Sequence, residues 1–175
     1  QIAGDLAARR LKSFRGQMAQ VMRSPVNIGV KCLARYRHRP KHLARQLGVA
    51  DRVHFTGSRS DAQVRACFTG AVFFAFPSLI EGFGLPVLEA MACGAPVLTS
   101  NCSSLAEIAV DRALLVDPTD IDSIAAGMRR FLAEPELRQR LGKQGQQRAA
   151  TFTWEASARQ TLEVYGQHAD SSNVK

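Results

Sequence analysis

The sequence predicts an α/β fold: a parallel β-sheet with helices on both of its faces. Two kinds of observation carry this. Short apolar runs of strand length recur at residues 71–76, 96–99 and 113–116. Segments with helical start and stop signals lie between and after them. Strands that alternate with helices are covered on both faces, so each reads as a continuous apolar run rather than as alternation.

The elements follow in order. Asp5 to about Met22 reads as an amphipathic helix, with Leu11, Phe14, Met18 and Val21 spaced three to four apart and Pro25 after its end. Val26 to Lys31 is a weak strand pattern. Pro40 to Leu47 is helical in pattern, with Gly48 as its stop, and Arg52 to Thr56 reads as a strand. Ser58-Arg59-Ser60-Asp61 is a capping-box pattern opening a helix to about Phe68. The three apolar strands then enclose helices at 86–93 and about 103–109. Thr119 to Asp122 caps a helix to about Ala133, Pro135 opens one to about Ala150, and Thr153 starts a last one to about Gly166. Asp170 to Lys175 should fray. The expected organisation is an atypical basic leader over 1–42, a ligand-binding domain over 43–168, and a frayed tail over 169–175.

The most informative stretch is Ile80 to Val97, IEGFGLPVLEAMACGAPV. Gly82 and Gly84 free the backbone to approach a ligand closely. Pro86 suits the first helical position, where its missing N–H costs nothing, and Gly94 suits the residue just past the helix end. The N–H groups near Leu85 and Val87 should therefore point out of a helix N-terminus, a ready site for a diphosphate or for sugar hydroxyls. The turn follows a strand, and ligands of open α/β sheets bind outside the carboxyl ends of strands. Glu81, in the loop, and Glu89, in the first turn or so of the helix, can accept hydrogen bonds from hydroxyls. The bland alternatives are a solvated helix carboxylate at Glu89 and a plain turn at the glycines. A dinucleotide fingerprint is rejected, because Val87 stands where its third glycine belongs.

Composition bounds the rest. A chain of 175 residues with 46% hydrophobic content makes one ordinary globular domain with a respectable core. No apolar run approaches a membrane span, and no secretory signal opens the chain. Its start at Gln1 rather than Met reads as a piece of something longer. Cys32, Cys67, Cys93 and Cys102 lack metal or disulfide spacing and suggest reduced, buried thiols in a cytoplasmic protein. The four His show no ligand spacing either, so no metal is expected. Charge is uneven: residues 1–65 hold 14 Lys/Arg against 3 Asp/Glu, and residues 66–175 hold 9 against 12. The densest basic run, Lys31 to Arg45, is either a solvated face or a surface for anionic lipid or a phosphorylated ligand. Nucleic acid fits poorly, since no aromatic platform interleaves the charges.

The Glu-x7-Glu pattern within EGFGLPVLEAMACGAPV resembles the donor-site signature of retaining glycosyltransferases of the GT-B fold, family four. TSNCSSLAE (99–107), ALLVDP (113–118), Phe152-Thr153-Trp154 and, upstream, DRVHFTG (51–57) are similar to further family segments. The resemblance covers residues 43–165. It implies one Rossmann-like half of a GT-B fold, the donor-binding half, with an acceptor domain preceding it. It implies that Glu81 is catalytic and contacts donor-sugar hydroxyls. Gly82, Phe83, Gly84 and Leu85 would offer backbone N–H groups to sugar and diphosphate, and Glu89 would hold the ribose. No metal and no cofactor are implied beyond the nucleotide sugar itself, with GDP-mannose slightly favoured over UDP- or ADP-linked donors. The acceptor would be a glycan or lipid-linked, which suits a cytoplasmic protein peripheral at the inner face of a membrane and a role in polysaccharide biosynthesis. The family's G-R…K-G segment, whose cations neutralise the leaving diphosphate, has no counterpart here, and residues 1–42 depart from the pattern. The alternative from another class is a non-catalytic remnant or interaction module that retains the sheet.

Overall fold

The computed structural model describes residues 38–171, with side chains from 41 to 167. The amphipathic stripe of residues 11–21, the strand expected at 26–31 and the packing expected of the leader up to residue 37 lie outside that range. The described elements are α1 (His38–Gln46), a 3-10 turn (Ala50–Arg52), α2 (Asp61–Gly70), β1 (Phe74–Phe76), α3 (Leu85–Ala92), β2 (Val97–Ser100), α4 (Ser103–Ala109), β3 (Leu114–Val116), α5 (Ile121–Ala133), α6 (Pro135–Ala149) and α7 (Trp154–Ser171).

The three strands form one parallel sheet in the order β1-β2-β3. Phe76, Thr99 and Leu115 lie side by side in register, and β2, the central strand, is buried along its whole length. On one face, Phe74 and Val97 meet Phe68 of α2, Val87 and Met91 of α3, and Leu105 and Ile108 of α4. On the other, Phe73, Leu98 and Val116 meet Phe131 of α5 and Leu137 and Leu141 of α6. Alternate residues of each strand thus serve opposite faces, as the pleat requires. Aromatic rings anchor both layers: Phe68 and Phe74 meet edge to face at 5.0 Å, and Phe73 stacks with Phe131 at 5.3 Å. α6 crosses close to the turn between α3 and β2. At Gly142 a methyl group would come within 2.7 Å of the Gly94 carbonyl, so only glycine lets the helix approach.

Several expectations change. The strand read at Arg52 to Thr56 shrinks to one bridging residue, Phe55. Val53 and Phe55 pack on Ala44 and Val49 in a small satellite core beside α1. The capping box stands two residues later than expected: Ser60 Oγ accepts from the Gln63 N–H, and the Gln63 side chain accepts from the Ser60 N–H. The ladder at 71–76 is limited to its last three residues. α7 runs on to Ser171, past the end expected at Gly166 and into the expected tail. Of the thiols expected to be buried, Cys32 lies outside the described residues, Cys67 is exposed, and Cys93 and Cys102 are half-buried at the C-cap of α3 and the N-cap of α4. α2 packs through Phe68, which turns its neighbour Cys67 outward. The helix stops hold, with Gly48 at φ +67° and Gly94 at φ +75° in the left-handed region that favours glycine.

α7 is peripheral. Over its described side chains every residue but Ala156 is exposed, including Trp154 at 85%, Leu162, Val164 and Tyr165.

Candidate functional site: the turn between β1 and α3

The loop from Pro77 to Gly84 leaves the carboxyl end of β1 and enters α3. It has little regular structure of its own, so its carbonyls need partners from elsewhere. β2 and α4 supply them in sequence. Thr99 Oγ1 donates to the Phe76 carbonyl at 2.9 Å, and Ser100 Oγ donates to that of Ser78. Cys102 Sγ lies 3.6 Å from the Leu79 carbonyl, and Ser104 Oγ donates to the Glu81 carbonyl at 2.8 Å. Thr99 and Ser100 are fully buried, where an unpaired hydroxyl would be costly. These two residues and Ser104 therefore pin the loop. Sequence reading met them only as part of a family-like segment and gave them no role. The signal was a run of hydroxyl-bearing residues at the end of a buried strand facing a loop.

Gly84 is the hinge of the turn. It is the N-cap of α3 with φ +102°, in the left-handed region. A methyl group there would come within 2.7 Å of Leu105 and 3.3 Å of Ile108 on α4. Gly82 is different: a methyl group there would meet nothing within 4 Å. The helix begins at Leu85, so Pro86 is its second residue rather than its first. The Val87 N–H, expected to face a ligand, donates to the Gly84 carbonyl at 2.9 Å. Among the described residues the N–H groups of Gly82, Phe83, Gly84 and Leu85 have no such protein partner. Of the expected pair, Leu85 keeps a free N–H and Val87 does not.

Glu81 stands half-buried in the loop. Glu89 is exposed and is the fifth residue of α3, hence in its second turn rather than its first. Neither carboxylate has an ion-pair or hydrogen-bond partner among the described residues. Leu85 and Phe83 are about half exposed, at 55% and 48%. Phe83 meets Phe152 edge to face at 6.1 Å. Among the described residues no three His, Cys, Asp or Glu side chains are grouped so as to hold a metal ion, and no helix is long and apolar enough to cross a membrane.

A parallel sheet whose loop ends at a helix N-terminus, with free N–H groups and unpaired carboxylates beside it, defines an α/β domain of the open-sheet class, in which ligands generally bind outside the carboxyl ends of the strands. The comparisons with known proteins agree with that architecture. The sequence profile of the glycosyl transferases group 1 matches residues 27–148, beginning well before residue 43. The chain belongs to this family, and its fold is that of one half of a GT-B glycosyltransferase. The MMP alpha-(1->4)-mannosyltransferase of Mycolicibacterium hassiacum is 39% identical over 127 residues, which is 70% of this chain and 31% of that protein. The chain therefore spans about a third of the length of that relative. Sucrose-phosphate synthase from Thermosynechococcus elongatus has a similar structure, with a TM-score of 0.71 and 31% identity over 93% of this chain and 43% of that one. HepE from Anabaena in complex with UDP-glucose has a TM-score of 0.68 over 75% of this chain and 37% of its own, and at 22% identity the likeness is one of fold.

Proposed function

We propose that this chain is the donor-binding half of a retaining glycosyltransferase that takes a hexose, with mannose favoured, from a nucleotide diphosphate sugar. One observation carries the reading. Four successive backbone N–H groups, Gly82 to Leu85, are without a protein partner at the start of α3, in a loop that buried hydroxyls hold by its carbonyls. Such a row of donors at a positive helix end suits the oxygens of a diphosphate. Family membership supports the reaction class, and the mannosyltransferase relative supports the sugar.

The roles divide by position. Gly82 to Leu85 donate to sugar and diphosphate oxygens, and the open space at Gly82 admits the ligand close to the backbone. Glu81, beside the turn, accepts from donor-sugar hydroxyls and so orients the anomeric carbon. Glu89, one turn into the helix, accepts from the ribose hydroxyls. In the reaction the anomeric C–O bond breaks and its electron pair leaves with the diphosphate. The acceptor hydroxyl attacks from the same face, and its proton passes to a diphosphate oxygen. The chain contributes positioning and stabilisation of the leaving charge, with no metal. The acceptor is a glycan or a lipid-linked one, and the site of action is the cytoplasmic side of a membrane.

Calorimetric titration with GDP tests the donor site. A charge-assisted hydrogen bond is worth about 1.5–3 kcal/mol, so Glu89→Ala should weaken GDP binding by about tenfold or more. The wild type should lose a similar factor with 2′,3′-dideoxy-GDP, and the variant should not lose further. Equal GDP affinity in the two proteins removes Glu89 from the site. Tighter binding of UDP or ADP overturns the GDP assignment, and failure to bind any of the three favours a non-catalytic module.

A further inference from the structure

We propose that Phe152, braced by Arg148, is a positioning residue for the donor turn, acting through Phe83; this rests on the donor reading above. Phe83 is the one side chain between Gly82 and Gly84. Two glycines leave a turn with little stiffness of its own, yet donors to a leaving diphosphate help only if they are already aimed. A Cβ at Gly82 would meet nothing within 4 Å, Leu105 and Ile108 crowd only Gly84, and the Ser104 bond fixes only the Glu81 carbonyl. Phe83 therefore supplies the remaining anchor, and the ring it meets is Phe152, at 6.1 Å and 81°.

Phe152 is itself held in place. The Arg148 guanidinium lies 4.7 Å over its ring, and the Phe152 N–H donates to the Ala149 carbonyl at 3.1 Å. Arg148 is fixed in turn. Its Nε donates to the Ile108 carbonyl and its terminal nitrogen to the Glu107 carbonyl, both at 3.1 Å. Those carbonyls lie near the C-terminal end of α4, where a cation is also favoured by the helix dipole. α4 also carries Ser104, Leu105 and Ile108, the residues that touch Glu81 and crowd Gly84. One short helix thus holds the turn directly at residues 81 and 84. At residue 83 it holds it through the chain Arg148, Phe152, Phe83.

The test compares Phe152→Ala, Phe152→Tyr and the wild-type 175-residue chain by amide hydrogen exchange without ligand and by calorimetry with GDP. An edge-to-face ring pair accounts for a change of about two- to tenfold. Phe152→Ala should speed exchange at Val87 and Leu88, whose N–H groups donate to the Gly84 carbonyl of the turn, by about that factor, leave β2 amides unchanged, and weaken GDP binding to a similar extent. Phe152→Tyr, which keeps the ring, should restore both. Arg148→Lys, which keeps the charge but not the planar fork, should reproduce part of the loss. Unchanged exchange at the turn overturns the proposal, as does uniformly faster exchange across the core. Faster exchange at the turn with unaltered GDP affinity overturns the positioning role. A wild-type chain that binds no GDP overturns the donor reading alone, and the exchange comparison still decides whether Phe152 holds the turn.

Discussion

Gly82 and Gly84 stand two residues apart in one turn under opposite constraints. Gly84 adopts φ +102° with Leu105 2.7 Å from where a methyl group would sit. A left-handed backbone costs an L-residue about 1–2 kcal/mol, and forcing a methyl into packed space about 1–3 more. Gly84→Ala should therefore lower the urea midpoint by the equivalent of about 2–5 kcal/mol, followed by far-UV circular dichroism. Gly82→Ala, with open space around it, should change stability by no more than about 0.5 kcal/mol. It should nonetheless weaken GDP binding, since the methyl group occupies the approach to the backbone. Equal destabilisation by the two substitutions would refute this division. From sequence both glycines read alike, because the crowding of Gly84 comes from Leu105, twenty-one residues on. The same distance effect hid Ser104, whose partner is the Glu81 carbonyl.

At the scale of elements, the strands and helices inside 71–150 were readable because long apolar runs and caps agree there. What was not readable was competition between local signals. Ser58 and Ser60 each have a suitable partner three residues on, Asp61 and Gln63, and only the second pair closes. Ser60→Ala should then cost about 1 kcal/mol and Ser58→Ala close to nothing; the reverse ranking in urea titrations would return the cap to Ser58. Of the strand expected at 52–56, Val53 and Phe55 pack in the satellite core of Ala44 and Val49. Before α5, Asp117 Oδ1 accepts from the hydroxyl of Thr119 at 2.7 Å and from its N–H at 2.8 Å, which holds its carboxyl below the ordinary Asp range. A pKa lowered by folding contributes stability that is present above the unfolded value. That contribution is lost as pH falls through the folded one. Carboxyl NMR titration should place the Asp117 midpoint below that of the urea-unfolded chain, and Thr119→Ala should raise it. A midpoint indifferent to that substitution would mean the turn does not govern the group.

On the scale of the whole molecule, the chain spans 31% of the length of its mannosyltransferase relative. Transfer needs an acceptor held against the donor sugar, so this chain alone should release no acceptor-dependent product from labelled GDP-mannose or UDP-glucose. Robust transfer by the isolated 175 residues would show that a complete cleft forms from this half. The class of fold and the turn between β1 and α3 were legible in one sequence because they depend on local patterns. The acceptor was not, since no pattern in these residues points to one. One peripheral feature has an optical consequence. The sole tryptophan, Trp154, opens α7 with 85% of its surface in water. Its emission should lie where a free indole emits in water and should barely move when the sheet unfolds. Intrinsic fluorescence is therefore nearly blind to the stability of this domain. The same indole is two residues from Phe152 in the chain, and its emission should shift to the blue when anything apolar covers the start of α7, which makes it a built-in dye for docking.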